Sequence, residues 1–181
     1  MPILIGSLRK DGFSARLANA LINAAPQRLS LATVAIGKLP LFNQDDEYAP
    51  PEEHVQFRAR LERSQAVLIV TPEYNRSIPG ALKNALDIAS RPYGQSVLAG
   101  KPVAIASQSP GAMGGMAANH ALRLAAMSMG MPVMPQPEVY LANAERSFAA
   151  DGTLSEAAPA ALLTDFMEAF AVWASRFVAA D

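Results

Sequence analysis

Short, continuous runs of apolar residues alternate along this chain with longer segments in which apolar residues recur every three or four positions. Residues 66–70 read Ala-Val-Leu-Ile-Val, the composition of a strand that is buried on both faces. By such patterns, strands are predicted at 2–5, 31–36, 66–70, 101–107, 132–134 and 139–141. Helices are predicted at 14–25, 50–64, 79–90, 114–129 and 162–178, with Ser14 as the N-cap of the first.

The regular alternation of strands and helices predicts the α/β class, with a parallel sheet and helices on both of its faces. The 181 residues show no internal repeat and no break in composition. We therefore expect one domain over residues 1–181, which is long enough to bury a continuous core.

Composition narrows the chemistry that the chain can perform. Fifteen basic and sixteen acidic residues give a formal net charge of −1, which argues against a nucleic-acid binder because such proteins need a basic face. The absence of cysteine excludes disulfides, thiolate nucleophiles and thiolate metal sites. The first ten residues lack the pattern of a secretory signal, and Glu168 and Arg176 interrupt the apolar segment 166–180. We expect a cytoplasmic protein without a membrane span.

The first candidate loop, residues 6–14, follows the first predicted strand, and loops at strand carboxyl ends form the ligand sites of open α/β sheets. It combines two hydroxyls, a guanidinium and the free N–H groups of a helix start, a set that suits a phosphate monoester. Its glycine spacing matches neither a Walker loop nor a dinucleotide fingerprint. The alternative is an ordinary connecting loop with a serine cap. The residues of interest are Ser7, Arg9, Gly12, Phe13 and Ser14.

Two further loops follow the two most apolar predicted strands. The loop after residue 70 presents an aromatic ring and an amide and is fixed by prolines, whereas the loop at 107–115 is rich in glycine and lets a ligand approach the backbone. Together, the three loops favour a flat heterocycle that carries a phosphate. The residues of interest are Pro72, Glu73, Tyr74, Asn75, Ser109 and Gly111.

Four motifs occur in a characteristic order. They are Gly6-Ser7-Leu8-Arg9-Lys10, then Pro72-Glu73-Tyr74-Asn75-x-Ser77-x-Pro79-Gly80-x-Leu82-Lys83-Asn84-Ala85-x-Asp87, then Ser90-Arg91-Pro92 and Gly100-Lys101-Pro102-Val103. In these motifs the chain resembles the NAD(P)H-dependent FMN reductase family, and most of all its bacterial chromate and quinone reductase branch. The resemblance implies a flavodoxin-like three-layer sandwich with a five-stranded parallel sheet.

The resemblance also implies FMN as the cofactor and NADPH or NADH as the reductant. By position, Ser7 and Arg9 would hold the FMN phosphate, residues 72–75 would line the isoalloxazine mostly through backbone groups, and Ser109 would complete the pocket. Many relatives have Ser at the position of Gly12 and Asn at that of Ser14. Hydride would pass from NAD(P)H through FMN to a small-molecule acceptor such as a quinone or chromate. The protein would be a homodimer or homotetramer.

The residues leave several functional alternatives open. Arg76 and Arg91, together with Arg9, are candidate cations for a nicotinamide nucleotide or an anionic acceptor, on the basis of their loop positions alone. A reductase that releases reduced FMN, a flavodoxin-type electron carrier and a nucleotide-binding sensor share this fold class. No side chain is required as a general acid or base.

The histidines, an acidic triplet and the methionines are predicted to have structural roles. His54 lies in a polar helix and is predicted at the surface, whereas His120 lies in an apolar helix and is predicted to be packed. The acidic triplet at 45–47 predicts a solvated turn. Six methionines between residues 113 and 134 indicate core packing or, alternatively, a subunit interface. Neither histidine has a partner at metal-ligand spacing.

Overall fold

Five parallel strands form one sheet in the computed structural model, which describes residues 1–155 and 158–177 of the chain. The strands are β1 (Pro2–Ile5), β2 (Ala32–Val34), β3 (Val67–Pro72), β4 (Val103–Gln108) and β5 (Val139–Leu141). They lie in the order β2-β1-β3-β4-β5, and each neighbouring pair is parallel. The predicted parallel α/β sheet is confirmed, and its strand order is that of flavodoxin-like folds.

Helices cover both faces of the sheet and complete three layers. Within the described residues they are α1 (Phe13–Ala24), α2 (Glu52–Glu62), α3 (Gly80–Ala89), α4 (Met116–Ser128), α5 (Ala144–Ser147) and α6 (Ala160–Ser175). Helices α1 and α6 pack on one face, and α2, α3 and α4 pack on the other. No helix in this part of the chain combines the length and the hydropathy that crossing a bilayer requires.

Strand β3 separates two hydrophobic cores. Leu68 and Val70 pack with α1 and α6, whereas Val67 and Ile69 pack with the helices of the opposite face. All six residues of β3 are buried, because side chains of a strand alternate between two faces that are both covered here. This explains why the strand is continuously apolar in the sequence.

The predicted elements differ from the structure mainly at their ends. Strand β2 contains only Ala32–Val34 instead of 31–36, since it lies at the edge of the sheet and is largely exposed. The segment 132–134 makes a single bridge, from Val133 to Val103, rather than a strand. Helix α5 is not predicted from the sequence. The closing helix ends at Ser175, and residue 178, where its predicted end falls, lies outside the described residues.

The two histidines exchange their predicted environments. His54 is buried, and its Nε2 lies 2.9 Å from the carbonyl oxygen of Pro40. His120 is exposed on α4, where its Nε2 lies 3.1 Å from the hydroxyl of Tyr140. Both predictions are wrong, because the loop before α2 covers His54 and no element of the described chain covers the outer face of α4.

The acidic triplet at 45–47 is only partly a solvated turn. Asp45 and Asp46 are exposed in a short 3-10 turn. The side chain of Glu47 is 7% exposed and lies 3.6 Å from the guanidinium of Arg91. That carboxylate is turned into the protein because a cation is available there.

The order of the strands determines where ligands can bind. From β1 the chain runs outward to the edge strand β2 and then returns to β3 on the other side of β1. The loops after β1 and β3 therefore leave the sheet in different directions, and a crevice opens between them. The N–H of Gly6 still bonds to the carbonyl of Val70 over 2.8 Å, so the two loops begin side by side.

Candidate functional site

A cavity of about 380 Å³ lies in the crevice at the carboxyl ends of β1 and β3. This volume is within the range of ~300–1,000 Å³ that is typical of small-molecule sites. The first loop contributes Gly6, Leu8 and Arg9, and the second contributes Tyr74, Pro79, Gly80 and Ala81. Two of the three predicted loops therefore meet in one cavity.

The first loop forms a compact turn that ends in the start of α1. The backbone N–H of Arg9 donates to Oγ of Ser7 over 3.3 Å, and the N–H of Gly12 donates to the carbonyl of Arg9 over 3.3 Å. A Cβ at Gly12 would lie 3.1 Å from the Cβ of Arg9 and 3.4 Å from Oγ of Ser7, so a side chain there would crowd the turn. The Arg9 side chain is exposed at the rim of the cavity.

Helix α1 begins with Gly12 as its N-cap and has no capping side chain and no acidic residue in its first turn. Ser14 is therefore not the N-cap, and that prediction is wrong. The first N–H groups of a helix carry partial positive charge and need acceptors. A helix start of this kind suits an anion, and binding of a phosphate by the first loop stays a prediction.

Ser14 lies beneath this helix start rather than on its surface. It is completely buried, and its Oγ accepts a hydrogen bond of 2.9 Å from Nε2 of Gln108. Oε1 of Gln108 has no partner among the described residues. Sequence reasoning missed Gln108, because only the fold brings the end of β4 against α1.

Phe13 faces a different neighbour from the other loop residues. Its ring stacks on Phe148 at a centroid distance of 6.3 Å, and the guanidinium of Arg16 lies 5.9 Å from its ring centroid. Arg16 also donates to the carbonyl of Ala149 over 3.2 Å. The segment after α5 therefore supports the start of α1 from the outside.

The second loop contains a tight two-residue turn. The backbone groups of Tyr74 and Ser77 exchange hydrogen bonds of 3.1 and 3.0 Å. Asn75 and Arg76 between them have positive φ angles of 50° and 62°, a conformation that non-glycine residues rarely adopt. The turn holds the half-exposed ring of Tyr74 at the cavity and presents the guanidinium of Arg76 to solvent.

The side chain of Glu73 joins the second loop to helix α4. Its Oε2 accepts hydrogen bonds from the backbone N–H groups of Ala117, at 2.9 Å, and Ala118, at 3.3 Å. Its Oε1 lies 3.2 Å from Nη1 of Arg76. Glu73 thus caps the N-terminus of α4, a role that the sequence does not reveal.

The third loop is anchored to the end of β5. The N–H of Ser109 bonds to the carbonyl of Leu141 over 3.1 Å, and Oγ of Ser109 accepts from the N–H of Gly111 over 3.1 Å. Gly114 and Gly115 have φ angles of 57° and 77° and bring the loop into α4. The tether of α4 to Glu73 places this loop beside the second one.

Of the three candidate cations, only Arg9 lines this cavity. Arg76 is exposed in the turn that follows Tyr74, and Arg91 lies away from the cavity. Arg91 follows α3, whose ten residues carry the chain back from the cavity over about 15 Å. Its guanidinium lies 5.6 Å from the ring centroid of Phe42 and pairs with Glu47. Arg91 borders a second, larger groove of about 500 Å³ between α3 and α4.

Comparison with known families gives a match over residues 2–146 to the family described as NADPH-dependent FMN reductase. A quinone reductase of Pseudomonas putida is 50% identical over 172 residues, which cover 94% of this chain and 92% of that protein. A 2-hydroxy-1,4-benzoquinone reductase of a Burkholderia species is 44% identical over 171 residues, covering 94% of this chain and 93% of that protein.

Solved structures give the same picture of the fold. The flavoenzyme NAD(P)H:(acceptor) oxidoreductase FerB from Paracoccus denitrificans has a TM-score of 0.89 and 40% identity, with 97% of each chain covered. A flavodoxin, WrbA-like protein from Agrobacterium tumefaciens has a TM-score of 0.62 at 16% identity, with 98% of each chain covered. The second likeness concerns the fold alone, and it agrees with the flavodoxin-like strand order.

Proposed function

The chain belongs to the NADPH-dependent FMN reductase family, and from that premise we propose that it transfers hydride from NAD(P)H through bound FMN to quinones. The observation that carries the proposal is the uncapped start of α1, which directly follows a loop that lines a cavity together with the Tyr74 ring. Relatives named as quinone reductases support this choice of acceptor. Chromate is a further candidate acceptor. The proposal places the enzyme in the cytoplasm, where reduced nicotinamide nucleotides are made.

The residues at the cavity fit FMN. The free N–H groups of the first turn of α1, with Ser7 and the exposed Arg9, are donors suited to its phosphate. Gly6 lets the first loop begin close to the end of β3, since a Cβ there would lie 2.9 Å from Oγ1 of Thr71. Gln108, whose Oε1 has no hydrogen-bond partner among the described residues, contacts the same helix turn through Ser14. The donors and the space are those that a phosphorylated heterocycle needs.

The ring of the cofactor is assigned to the second and third loops. Pro72, Glu73, Tyr74 and Asn75 would line it, with Ser109 and Gly111 closing the opposite side, and the side chain of Glu73 would hold the two loops together. Bound FMN supplies hydride transfer between nicotinamide and acceptor, for which it needs one accessible face. Arg76 at the rim is suited to bind the anionic part of NAD(P)H.

Steady-state assays test this function directly. We expect the FMN-loaded protein to oxidise NADPH in the presence of a quinone, with alternating binding of the two substrates at one face. Arg9→Gln should raise the dissociation constant of FMN by about tenfold, because one charged phosphate contact is lost. Arg60→Gln, which removes an exposed arginine of α2, is the control for net charge. Absence of NADPH oxidation by the loaded protein would refute the proposal.

We further propose that the protein is a homodimer whose copies meet through α3 and α4. Large apolar side chains are exposed on this face: Tyr93, Met116, Leu124 and Met127. Of these, Tyr93 lines the groove of about 500 Å³ between the two helices. The other three lie on α4, whose last turn also lines that groove. Exposed apolar clusters of this kind mark interaction surfaces. Part of the methionine-rich segment would then serve a subunit interface, while Met131 and Met134 are buried in the two cores.

The dimer also gives Arg91 a place in the site. Its guanidinium borders the α3–α4 groove, so in such a dimer it faces the second copy. Any contact of Arg91 with substrate would then be in the cavity of the partner. Sedimentation should give a dimer for the wild type and a monomer for Leu124→Glu. The control is Val172→Glu, since Val172 is also exposed but lies on α6. A monomeric wild type would contradict this arrangement.

A further inference from the structure

Gln108, the last residue of β4, is a buried side chain whose hydrogen-bonding capacity is only half used. It is 4% exposed, and Nε2 donates to Oγ of Ser14 over 2.9 Å. Oε1 has no partner in the described part of the chain. Buried amide oxygens are nearly always paired, because leaving one unpaired is costly. The structure therefore contains a buried polar atom whose hydrogen bond is missing.

The position of this amide connects it to the first loop. Ser14 is the second residue of α1, and the N-terminus of α1 lacks a capping side chain. The Gln108 amide, which has one unpaired atom, is therefore hydrogen-bonded directly to a residue in the first turn of the uncapped helix α1. The two features are independent, since one belongs to the backbone of α1 and the other to a side chain of β4.

The chemistry of the Ser14–Gln108 pair favours an anion. A hydroxyl can either accept or donate, and an amide has an acceptor at one end and donors at the other. When the amide turns over about its last bond, the Ser14 hydroxyl donates to Oε1 and the N–H groups of Gln108 become free. In that arrangement no acceptor is left unpaired, and every free group is a donor. An anion at the helix start stabilises this arrangement over the present one.

We propose that Gln108 donates a hydrogen bond to the phosphate group of the bound cofactor, with Ser14 holding the turned amide. The inference rests on the proposed function, because that function supplies the phosphate. It adds a cofactor-binding residue from β4 to the groups of the first loop. It also gives the buried Ser14 a role, as a positioning residue that acts through Gln108.

Two variants of Gln108 separate this role from simple packing. Gln108→Met keeps the length of the side chain and removes both polar atoms. We expect its apoprotein to melt close to the wild-type temperature, because loss of the unpaired oxygen offsets loss of the hydrogen bond to Ser14. We expect its dissociation constant for FMN to rise about tenfold or more. Gln108→Glu places a like charge beneath the phosphate and should weaken FMN binding further.

Riboflavin, which has the same ring and no phosphate, identifies the end of the cofactor that Gln108 contacts. Its dissociation constant should stay within about twofold of wild type in both variants, since no phosphate contact is lost. Ser14→Ala should weaken FMN but not riboflavin. Gln136→Met, which changes an exposed glutamine, is the control and should alter neither constant. All constants are obtained from quenching of flavin fluorescence on the apoprotein.

Unchanged FMN affinity in a folded Gln108→Met protein would overturn the inference, as would an equal loss of riboflavin affinity. The proposed function fails in a different way. If inorganic phosphate raises the melting temperature of the wild type but not of Gln108→Met, and neither protein binds FMN, the anion site stands and the proposed flavin function is wrong.

Discussion

The carboxylate of Glu73 accepts a hydrogen bond of 2.9 Å from the backbone N–H of Ala117, although 44 residues separate the two. The contact runs from the loop after β3 to the start of α4. It places a negative charge at the positive end of a helix and satisfies an N–H that would otherwise lack a partner. One side chain thereby determines both the beginning of α4 and the position of the loop that presents Tyr74.

Glu73→Gln should lower the free energy of unfolding by about 1 kcal/mol, because a neutral amide is a weaker cap than a carboxylate. The loop from 72 to 77 should also lose its tether, so FMN should bind more weakly. Urea unfolding and flavin titration measure the two effects. Glu53→Gln, an exposed acid in the first turn of α2, is the matched control. Equal stability losses in both variants would show that the direct bond to Ala117 is not important.

Arg76 should be replaceable without loss of stability but not without loss of function. Its φ of 62° strains an L-residue by about 1–2 kcal/mol, whereas glycine adopts this conformation without strain because it has no Cβ. Glycine also increases the entropy of the unfolded chain, so Arg76→Gly should change the free energy of unfolding by less than about 1 kcal/mol. The KM for NADPH should rise several-fold at nearly constant kcat, because an exposed guanidinium at the rim is removed.

The matched variants for this test are Arg76→Lys, which keeps the positive charge, and Arg60→Gln, which removes a distant one. Arg76→Lys should retain most of the affinity for NADPH, and Arg60→Gln should retain all of it. A wild-type KM in Arg76→Gly would mean that the strained arginine is not a binding group.

Alanine substitutions at Gly114 and Gly94 distinguish a steric clash of the new Cβ from backbone strain alone. Both have positive φ angles, of 57° and 78°. A Cβ at Gly114 would lie 2.5 Å from backbone atoms of Tyr140, whereas a Cβ at Gly94 would meet nothing within 4 Å. Gly94→Ala should cost about 1 kcal/mol of unfolding free energy, and Gly114→Ala clearly more. Similar urea midpoints for the two variants would contradict the close approach of the third loop to β5.

The sequence predicts the fold well because the relevant signals are local. The apolar run at 66–70 already contains the reason for burial on both faces, and helical spacing marks α1 to α4. Strand β2 and the segment 132–134 are less predictable, since their length depends on which neighbours the sheet provides. In the segment 132–134, for example, Pro132 has no N–H to donate to a neighbouring strand. Its carbonyl accepts hydrogen bonds from the N–H of Val103 and from the indole of Trp173.

The site is predicted less completely, because its key contacts join distant residues. The loop positions identify the cavity, and the comparisons support the cofactor. The bond from Gln108 to Ser14 spans 94 residues, and no local pattern announces it. Ser14 also looks like a helix cap in the sequence, whereas Gly12 fills that position and leaves the helix start open. His54 is misassigned for the same reason, since the carbonyl that binds it lies in another loop.

Stability at high pH should depend on Tyr140. Burial, followed by the neighbouring Glu138, raises the pKa of its hydroxyl from 10.0 to about 12. The folded protein therefore holds the proton more tightly than the unfolded chain does. The stabilisation of the folded state by the protonated Tyr140 hydroxyl is complete below pH 10 and is lost as the pH rises toward 12. Tyr140→Phe should show a smaller fall in urea midpoint over this window, and parallel curves for both proteins would contradict the raised pKa.

The visible spectrum of the FMN-loaded protein, recorded before and after anaerobic addition of NADPH, shows whether the bound flavin accepts hydride. We expect a bound flavin whose absorption bleaches with NADPH and returns when a quinone is added. A bound flavin that NADPH does not bleach would favour an electron carrier. A protein that does not retain flavin under any condition would contradict the assignment of the cavity to FMN.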